Sequence, residues 1–320
     1  MYRGDYKGEA FYSALKVGDI ENGNYAEINN LGRFTLYGDA FIDFTYNTIY
    51  YVDGTNGDDS NSGLSWDKAL ATITAGVAKL NALGSRGLLY VAPGFYLEAA
   101  GVELTASKCG IVAFGLPEDT VWFGSGVTGV VGASTTDLLI IKGGNNIIKG
   151  MSLFTYKDDK ASIKFDDTGG GYAGSFNIIE NCWFSPQAQD GVGYGIHFLG
   201  GNSNIIQNCR FEGAKTAGIL IASNEGNPIR NVIRDNLIIG CYDGISITSA
   251  AELISQRNIF AAGYVAAANY NSSITATAGF TAGLITSVND RNQGANQAGS
   301  YTNGGAGTLN VIDPAYAVTV

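Results

Sequence analysis

Between residues 147 and 260 the chain carries the groups from which a polysaccharide-cleaving site could be assembled. They are Asp166, Asp167, Glu180, Asp190, Glu212, Glu225 and Asp243, with Arg210, Arg234 and the single histidine, His197. Glycoside hydrolysis needs two carboxylates about 5–9.5 Å apart, one to donate a proton and one to act as nucleophile or base. An eliminating enzyme needs instead an Arg or Lys base beside a cation held by several carboxylates. Trp183 offers an indole face on which a sugar ring or the Arg210 guanidinium can stack. Upstream, Asp53-Gly-Thr-Asn-Gly-Asp-Asp-Ser-Asn looks like a calcium loop, but it breaks the Asp-x-Asp-x-Asp-Gly frame and has no Glu at the twelfth position. A turn-and-cap role explains the same residues, because Asp, Asn and Gly satisfy tight turns by themselves.

Whether any of these groups meet depends on the elements that carry them, and an internal repeat fixes those elements. In register, the chain reads Asn146-Ile-Ile-Lys-Gly-Met-Ser-Leu, Asn177-Ile-Ile-Glu-Asn-Cys-Trp-Phe, Asn204-Ile-Ile-Gln-Asn-Cys-Arg-Phe and Asn231-Val-Ile-Arg-Asp-Asn-Leu-Ile. A weaker copy follows at Leu253-Ile-Ser-Gln-Arg-Asn-Ile-Phe, and Gly195-Ile-His-Phe, Gly218-Ile-Leu-Ile and Gly244-Ile-Ser-Ile form a second repeated strand. Short β-branched strands and Gly/Asn turns with no helix between them predict a right-handed parallel β-helix, an all-β solenoid.

Strand alternation then assigns faces. Ile179, Ile206 and Ile233 point inward with Phe184, Phe211 and Ile238; Glu180, Gln207 and Arg234 form an outward column beside Trp183, Arg210 and Leu237. His197, Leu220 and Ser246 are expected on the outer surface of the other repeated strand. Asn181, Asn208 and Asp235 fall at a turn, where a ladder of side-chain amides is expected along the axis. In this register Glu180 has Gln207 and Arg234 as column neighbours, so it gains no carboxylate partner. No catalytic, cofactor-binding or metal-binding residue is assigned.

Other features bound the reading. With 19 basic against 29 acidic residues the net charge is −10, which disfavours nucleic acid and anionic lipid. No apolar run approaches the ~18 residues of a membrane span, and the opening residues carry no export-signal core, so neither membrane insertion nor export is expected. Cys109, Cys182, Cys209 and Cys241 form no CxxC pair and read as buried reduced thiols; Cys182 and Cys209, at equivalent positions, stack without a disulfide. Gly169-Gly-Gly and Gly304-Gly do not join a strand to a helix, so no phosphate loop is predicted. Arg3-Gly-Asp5 is a chance match.

Apolar residues at helical spacing from Ala69 to about Leu83 predict one helix, stopped by Gly84, that plugs the N-terminal end of the solenoid. The division predicted is an N-terminal β arm or attachment module over 1–47, the parallel β-helix over 48–260, and a C-terminal segment over 261–320. That last segment holds three charged residues, Asp290, Arg291 and Asp313, which suits a subunit contact.

The run Tyr51-Val-Asp-Gly-Thr-Asn-Gly-Asp-Asp-Ser-Asn-Ser-Gly, the Thr72-Ile-Thr-Ala-Gly-Val segment and Tyr90-Val-Ala-Pro-Gly-Phe-Tyr resemble the opening of pectate-lyase-superfamily β-helices. Many of those are bacteriophage tailspikes and virion decoration proteins. The resemblance spans roughly residues 49–260 and implies a structural virion protein: a homotrimer, assembled in the host cytoplasm, that contacts other virion proteins through its N-terminal arm. The motif set of polygalacturonase-like members, Asn-x-Asp, Asp-Asp, Gly-His-Gly and Arg-x-Lys on successive coils, is not present. The rival expectations are a tailspike polysaccharide depolymerase and a non-catalytic module that binds a host surface glycan.

Overall fold

The structure, a computed structural model, describes residues 15–19, 24–28, 34–37, 46–98, 100–113, 121–125, 136–155, 159–168, 173–184, 193–214, 216–222, 228–261, 272–277, 283–293, 301–303 and 305–312. The chain divides into two units, Met1–Asn47 and Thr48–Val320. In the first, Leu15–Asp19, Asn24–Ile28 and Phe34–Tyr37 form an antiparallel three-stranded meander.

The second unit is a right-handed parallel β-helix built on three parallel sheets. Ten strands stack in the central sheet: Thr48–Val52, Gly87–Val91, Gly110–Ala113, Ile147–Lys149, Ile178–Glu180, Ile205–Gln207, Asn231–Arg234, Ala251–Gln256, Gly283–Val288 and Thr308–Ile312. At the usual strand spacing these nine steps span about 43 Å. Eight strands form the second sheet, from Gly94–Glu98 through Met151–Thr155, Trp183–Phe184 and Arg210–Glu212 to Arg291–Gln293. Eight more form the third, from Val102–Leu104 through Ala161–Phe165 and Tyr194–Phe198 to Tyr301–Asn303.

The inward column is as the alternation predicts. Ile148, Ile179, Ile206 and Ile233 pair in register and are buried, and the rings of Phe184 and Phe211 stack at 4.5 Å. Phe165 and Phe198 stack at 4.7 Å across the third sheet. One aliphatic or aromatic side chain per coil per sheet therefore makes a continuous apolar core, and each coil is stabilised chiefly by the two it touches.

The parallel ladders run on to Ile312, past the boundary at 260 that the sequence repeat suggests. The physical reason lies in the inward column, where Ile233 is followed by Ser255 and Ser287. Both serines are buried and donate to Asp290 Oδ2, at 2.5 and 2.7 Å. This one inward position turns polar while Leu253, Phe260, Ile274 and Ile285 keep the rest of the core apolar, so the repeat's aliphatic signature weakens while the coil continues.

The Asn ladder sits elsewhere than predicted. Asn181, Asn208 and Asp235 are left-handed turn residues, with φ of 53°, 53° and 57°. Asn and Asp tolerate that conformation better than most residues. The ladder is formed by the first Asn of each repeat: the backbone N–H of Cys109, Asn146, Asn177 and Asn204 donates to Oδ1 of Asn146, Asn177, Asn204 and Asn231 in turn, at 2.8–2.9 Å. A second ladder runs inside the next corner, from Cys209 N–H to Asn236, from Asn236 to Asn258 and from Asn258 to Asp290. A side chain one residue after a left-handed residue points inward, where its oxygen meets the N–H of the neighbouring coil.

The helix runs over Ile73–Leu83, preceded by a 3-10 turn at Trp66–Lys68. It starts later than the periodicity suggests because Asp59 accepts from the N–H groups of Ala71 and Thr72, and Thr72 accepts from Ala75 N–H to cap the first turn. Its buried face, Ile73, Gly76, Val77 and Leu80, covers the first coils. Gly76 is required there, since a Cβ would lie 2.7 Å from the Leu89 methyls and 2.9 Å from Val52 Cγ2.

Candidate functional site

The corner between the central and second sheets turns through one left-handed residue per coil: Gly150, Asn181, Asn208, Asp235, Arg257 and Asn289. So short a turn leaves no loop to fill the outside of the corner. An open groove of about 1000 Å³ runs along it, bordered by Lys149 on the central sheet and by Ser152, Trp183, Arg210, Leu237 and Ile259 on the second. The second-sheet residues are in register across four successive pairings, so their side chains repeat at one coil, about 4.8 Å.

Within the groove the Arg210 guanidinium lies over the Trp183 indole, 5.3 Å from its centroid, and pairs with Glu212 at 3.0 Å. Lys149 reaches Glu180 at 3.4 Å, and Arg257 holds Asp235 through two bonds of 2.6 and 2.7 Å. The Arg257 contact keeps the Asp235 carboxyl below the usual range, so the pair stays ionised. Arg234 spends its guanidinium on Gln207 Oε1. The predicted outward columns are thus present, and each carboxylate beside the groove is closed on a cation.

The floor is inert. Cys182 and Cys209 stack on adjacent coils as free thiols, with sulfurs directed at the carbonyls of Glu180 and Gln207. Burial drives the Cys209 thiol well up, so it is no thiolate nucleophile at neutral pH; Cys241, outside the groove, is pushed up to about 12 by its burial.

A second polar cluster lies on the third sheet. Lys164 Nζ is 3.6 Å from Asp137 Oδ2 and 3.8 Å from Asp166 Oδ2, so the two carboxylates share one ammonium. Burial raises the Asp166 pKa, but hydrogen bonds from Thr168 and the charges of Lys164 and Lys142 outweigh it, and the carboxyl ends below its ordinary value. A low pKa makes it a poor proton donor near neutrality. Asp137 was not among the sequence candidates. It lies two residues before the strand that pairs Ile140 with Lys164, and its Oδ1 accepts from Ala161 N–H.

His197 does follow Lys164 in the outward column, with Leu220 and Ser246 after it, but the surface there is not open: Leu220 and Ser246 are buried. The imidazole packs beside the Tyr194 ring and places Nε2 3.3 Å from the Ala222 carbonyl. Burial holds its pKa below the usual imidazole range, so it is neutral at pH 7. Asp243 is buried and accepts from the Thr275 hydroxyl; Asp167 packs over Gly200, whose Cβ position its carboxylate fills. Asp190 and Glu225 lie outside the described residues. In the calcium-like loop Asp53 accepts from Thr55 and Asn56, and Asp58 from Ser60, so both carboxylates serve the loop's own turns. Among the described residues no three His, Cys, Asp or Glu side chains gather to hold a metal ion.

A family model described as the right-handed beta helix region matches residues 127–281, a little under half of the chain. No curated protein matches it. Among solved structures the chain is similar to a rhamnogalacturonan lyase at 17% identity, covering 75% of this chain and 73% of that one, with a TM-score of 0.44. It is also similar to a pectate lyase, at 14% identity over 81% and 80% with a TM-score of 0.39. The Streptococcus pneumoniae surface protein and adhesin PfbA is similar at 12% identity over 75% and 96%, with a TM-score of 0.31. Likeness at this level says nothing of shared chemistry.

Proposed function

We propose that the chain is a structural subunit of a tailed-bacteriophage particle, a capsid decoration, fibre or spike protein whose β-helix serves as a rigid rod. In this reading residues 1–47 dock onto other virion proteins, the low-charge segment over 261–320 helps to join three copies, and assembly takes place in the host cytoplasm. The observation that carries the scaffold reading is the use made of polar side chains. Two internal ladders tie successive coils, and Glu180, Glu212 and Asp235 are each bound to a cation instead of converging as an acid–base pair. The phage setting rests on the opening motif near Tyr51 and Tyr90 and on the separate unit Met1–Asn47 that precedes it in the chain.

The test is peptide mass spectrometry of purified particles, with light scattering of the isolated chain. A stoichiometric virion component that is trimeric alone is the expected result. A monomer that is absent from every particle and releases reducing ends from bacterial polysaccharides would overturn the reading in favour of a depolymerase. A second reading, a non-catalytic glycan-binding module, is favoured by the open groove, which Trp183 and Arg210 border. Its signature is glycan binding without turnover, lost in Trp183→Ala.

A further inference from the structure

The central sheet carries an apolar ridge on its outer face. Ile147, Ile178, Ile205, Val232 and Ile254 occupy one outward position on successive coils, in register. Ile254 is 44% exposed and the other four are half-buried. At the corner before these strands Asn145, Phe176, Ser203 and Arg230 follow one another, each with a left-handed φ. Phe176 combines a φ of 60° with 39% exposure. The turn itself does not require an aromatic residue, since Asn145 and Ser203 make it too, so Phe176 carries a backbone cost that the coil leaves unexplained. An aliphatic row edged by such a ring is a surface that a protein partner covers.

The flanking rows decide which partner. Two residues after the ridge stand Lys149, Glu180, Gln207, Arg234 and Gln256; two before it stand the corner residues. A second copy turned about an axis along the Ile205–Gln207 strand meets this face with its coils in reverse order and its residues in the same order along each strand. Ile205 then faces its own counterpart, Ile178 faces Val232 and Ile147 faces Ile254. In the flanking rows Glu180 faces Arg234, Phe176 faces Arg230 and Val112 faces Val288, each twice. Opposite charges meet, and a guanidinium meets an aromatic ring. A copy turned about the solenoid axis instead brings Arg234 opposite Arg230, like charge on like.

The area is sufficient. Nine strands overlap in the reversed arrangement, from Gly87–Val91 to Thr308–Ile312. The shared face measures about 38 by 13 Å, about 500 Å² on each copy, and the pair reaches the roughly 1,000 Å² at which specific interfaces begin.

We infer that this face joins two copies of the chain side by side and antiparallel, with Ile205 on the twofold axis. The inference goes beyond the virion reading and does not rest on it.

The test is light scattering of the full chain across a dilution series, with circular dichroism as the check of folding. Two copies are expected, or six where residues 261–320 also join three, and Ile205→Lys should halve either mass by setting two ammonium groups face to face. Glu180→Arg alone and Arg234→Glu alone should each raise the dissociation constant about a hundredfold or more, because each turns two attractive pairs into repulsive ones. Mixed together, the two variants should pair again, since each supplies the charge that the other lacks; neither misfolding nor a role within one chain produces that recovery. A chain that stays monomeric, or a dimer that Ile205→Lys leaves intact, overturns the inference. A trimer indifferent to Ile205→Lys overturns it too and leaves the three-copy reading standing, whereas a dimer lost in Ile205→Lys supports it and overturns that reading.

Discussion

Asn204 is the residue whose removal most directly tests how the coils are held together. Its Oδ1 accepts from the backbone N–H of Asn177 at 2.8 Å and from Asn177 Nδ2 at 3.1 Å, and its own Nδ2 donates to Asn231 Oδ1 at 3.1 Å. All three residues are wholly buried. In Asn204→Ala the two Asn177 donors lose their partner where no water replaces it, and each stranded donor costs about 1–3 kcal/mol, for a total of about 2–6 kcal/mol. Asn231 Oδ1 keeps the bond from Asn204 N–H, so the damage falls on the N-terminal side of the break. Asn208, four residues on, is the control: it is exposed, and Asn208→Ala loses only the tolerance of a left-handed φ, about 1 kcal/mol. The measurement is urea unfolding followed by tryptophan fluorescence and circular dichroism, with coincidence of the two probes checked because repeat arrays depart from two-state behaviour. Asn204→Ala within about 1 kcal/mol of the parent at unchanged slope, or Asn208→Ala equally damaging, would refute the ladder argument.

The end plug and the last coils give two further expectations. Gly76→Ala gains about 1 kcal/mol of helix propensity but drives a methyl into Leu89 and Val52, an overpacking cost of about 1–3 kcal/mol, so the net change is a loss; a rise in the thermal midpoint would contradict the close approach of helix and first coils. Burial raises the Asp290 pKa against the opposing hydrogen bonds of Ser255, Ser287 and Asn258. A carboxyl raised in the folded state contributes stability that is full below its unfolded pKa and lost as pH rises through the folded one. Asp290→Asn should therefore be the more stable protein at pH 7, with the difference shrinking as pH falls toward about 4. A difference that grows on acidification would show that the carboxylate form is the one preferred.

Much of the architecture was legible in the one-dimensional pattern, for a physical reason. A β-helix stacks equivalent residues of successive coils, so Ile179, Ile206 and Ile233 recur in the sequence as they recur in space. The same periodicity sets Glu180 next to Gln207 and Trp183 next to Arg210. A helix with a Gly stop marked the plug.

What the pattern could not decide is where a side chain goes at a corner. Asn204 and Asn208 are both asparagines flanking one strand, and only the left-handed φ of Asn208 turns it out while Asn204 turns in to meet Asn177. The fading of the repeat after residue 260 had the same origin: Ser255, Ser287 and Asp290 are far apart by composition from an aliphatic core, yet they close a buried hydrogen-bond network that continues it. The groove itself belongs to the tertiary structure alone. A one-residue turn between sheets, repeated coil on coil, gathers Lys149, Arg210 and Arg257, which lie 61 and 47 residues apart in the chain, along one corner. Local sequence sets the alternation of a strand, but the relation between neighbouring coils is set by packing and by hydrogen bonds across the stack.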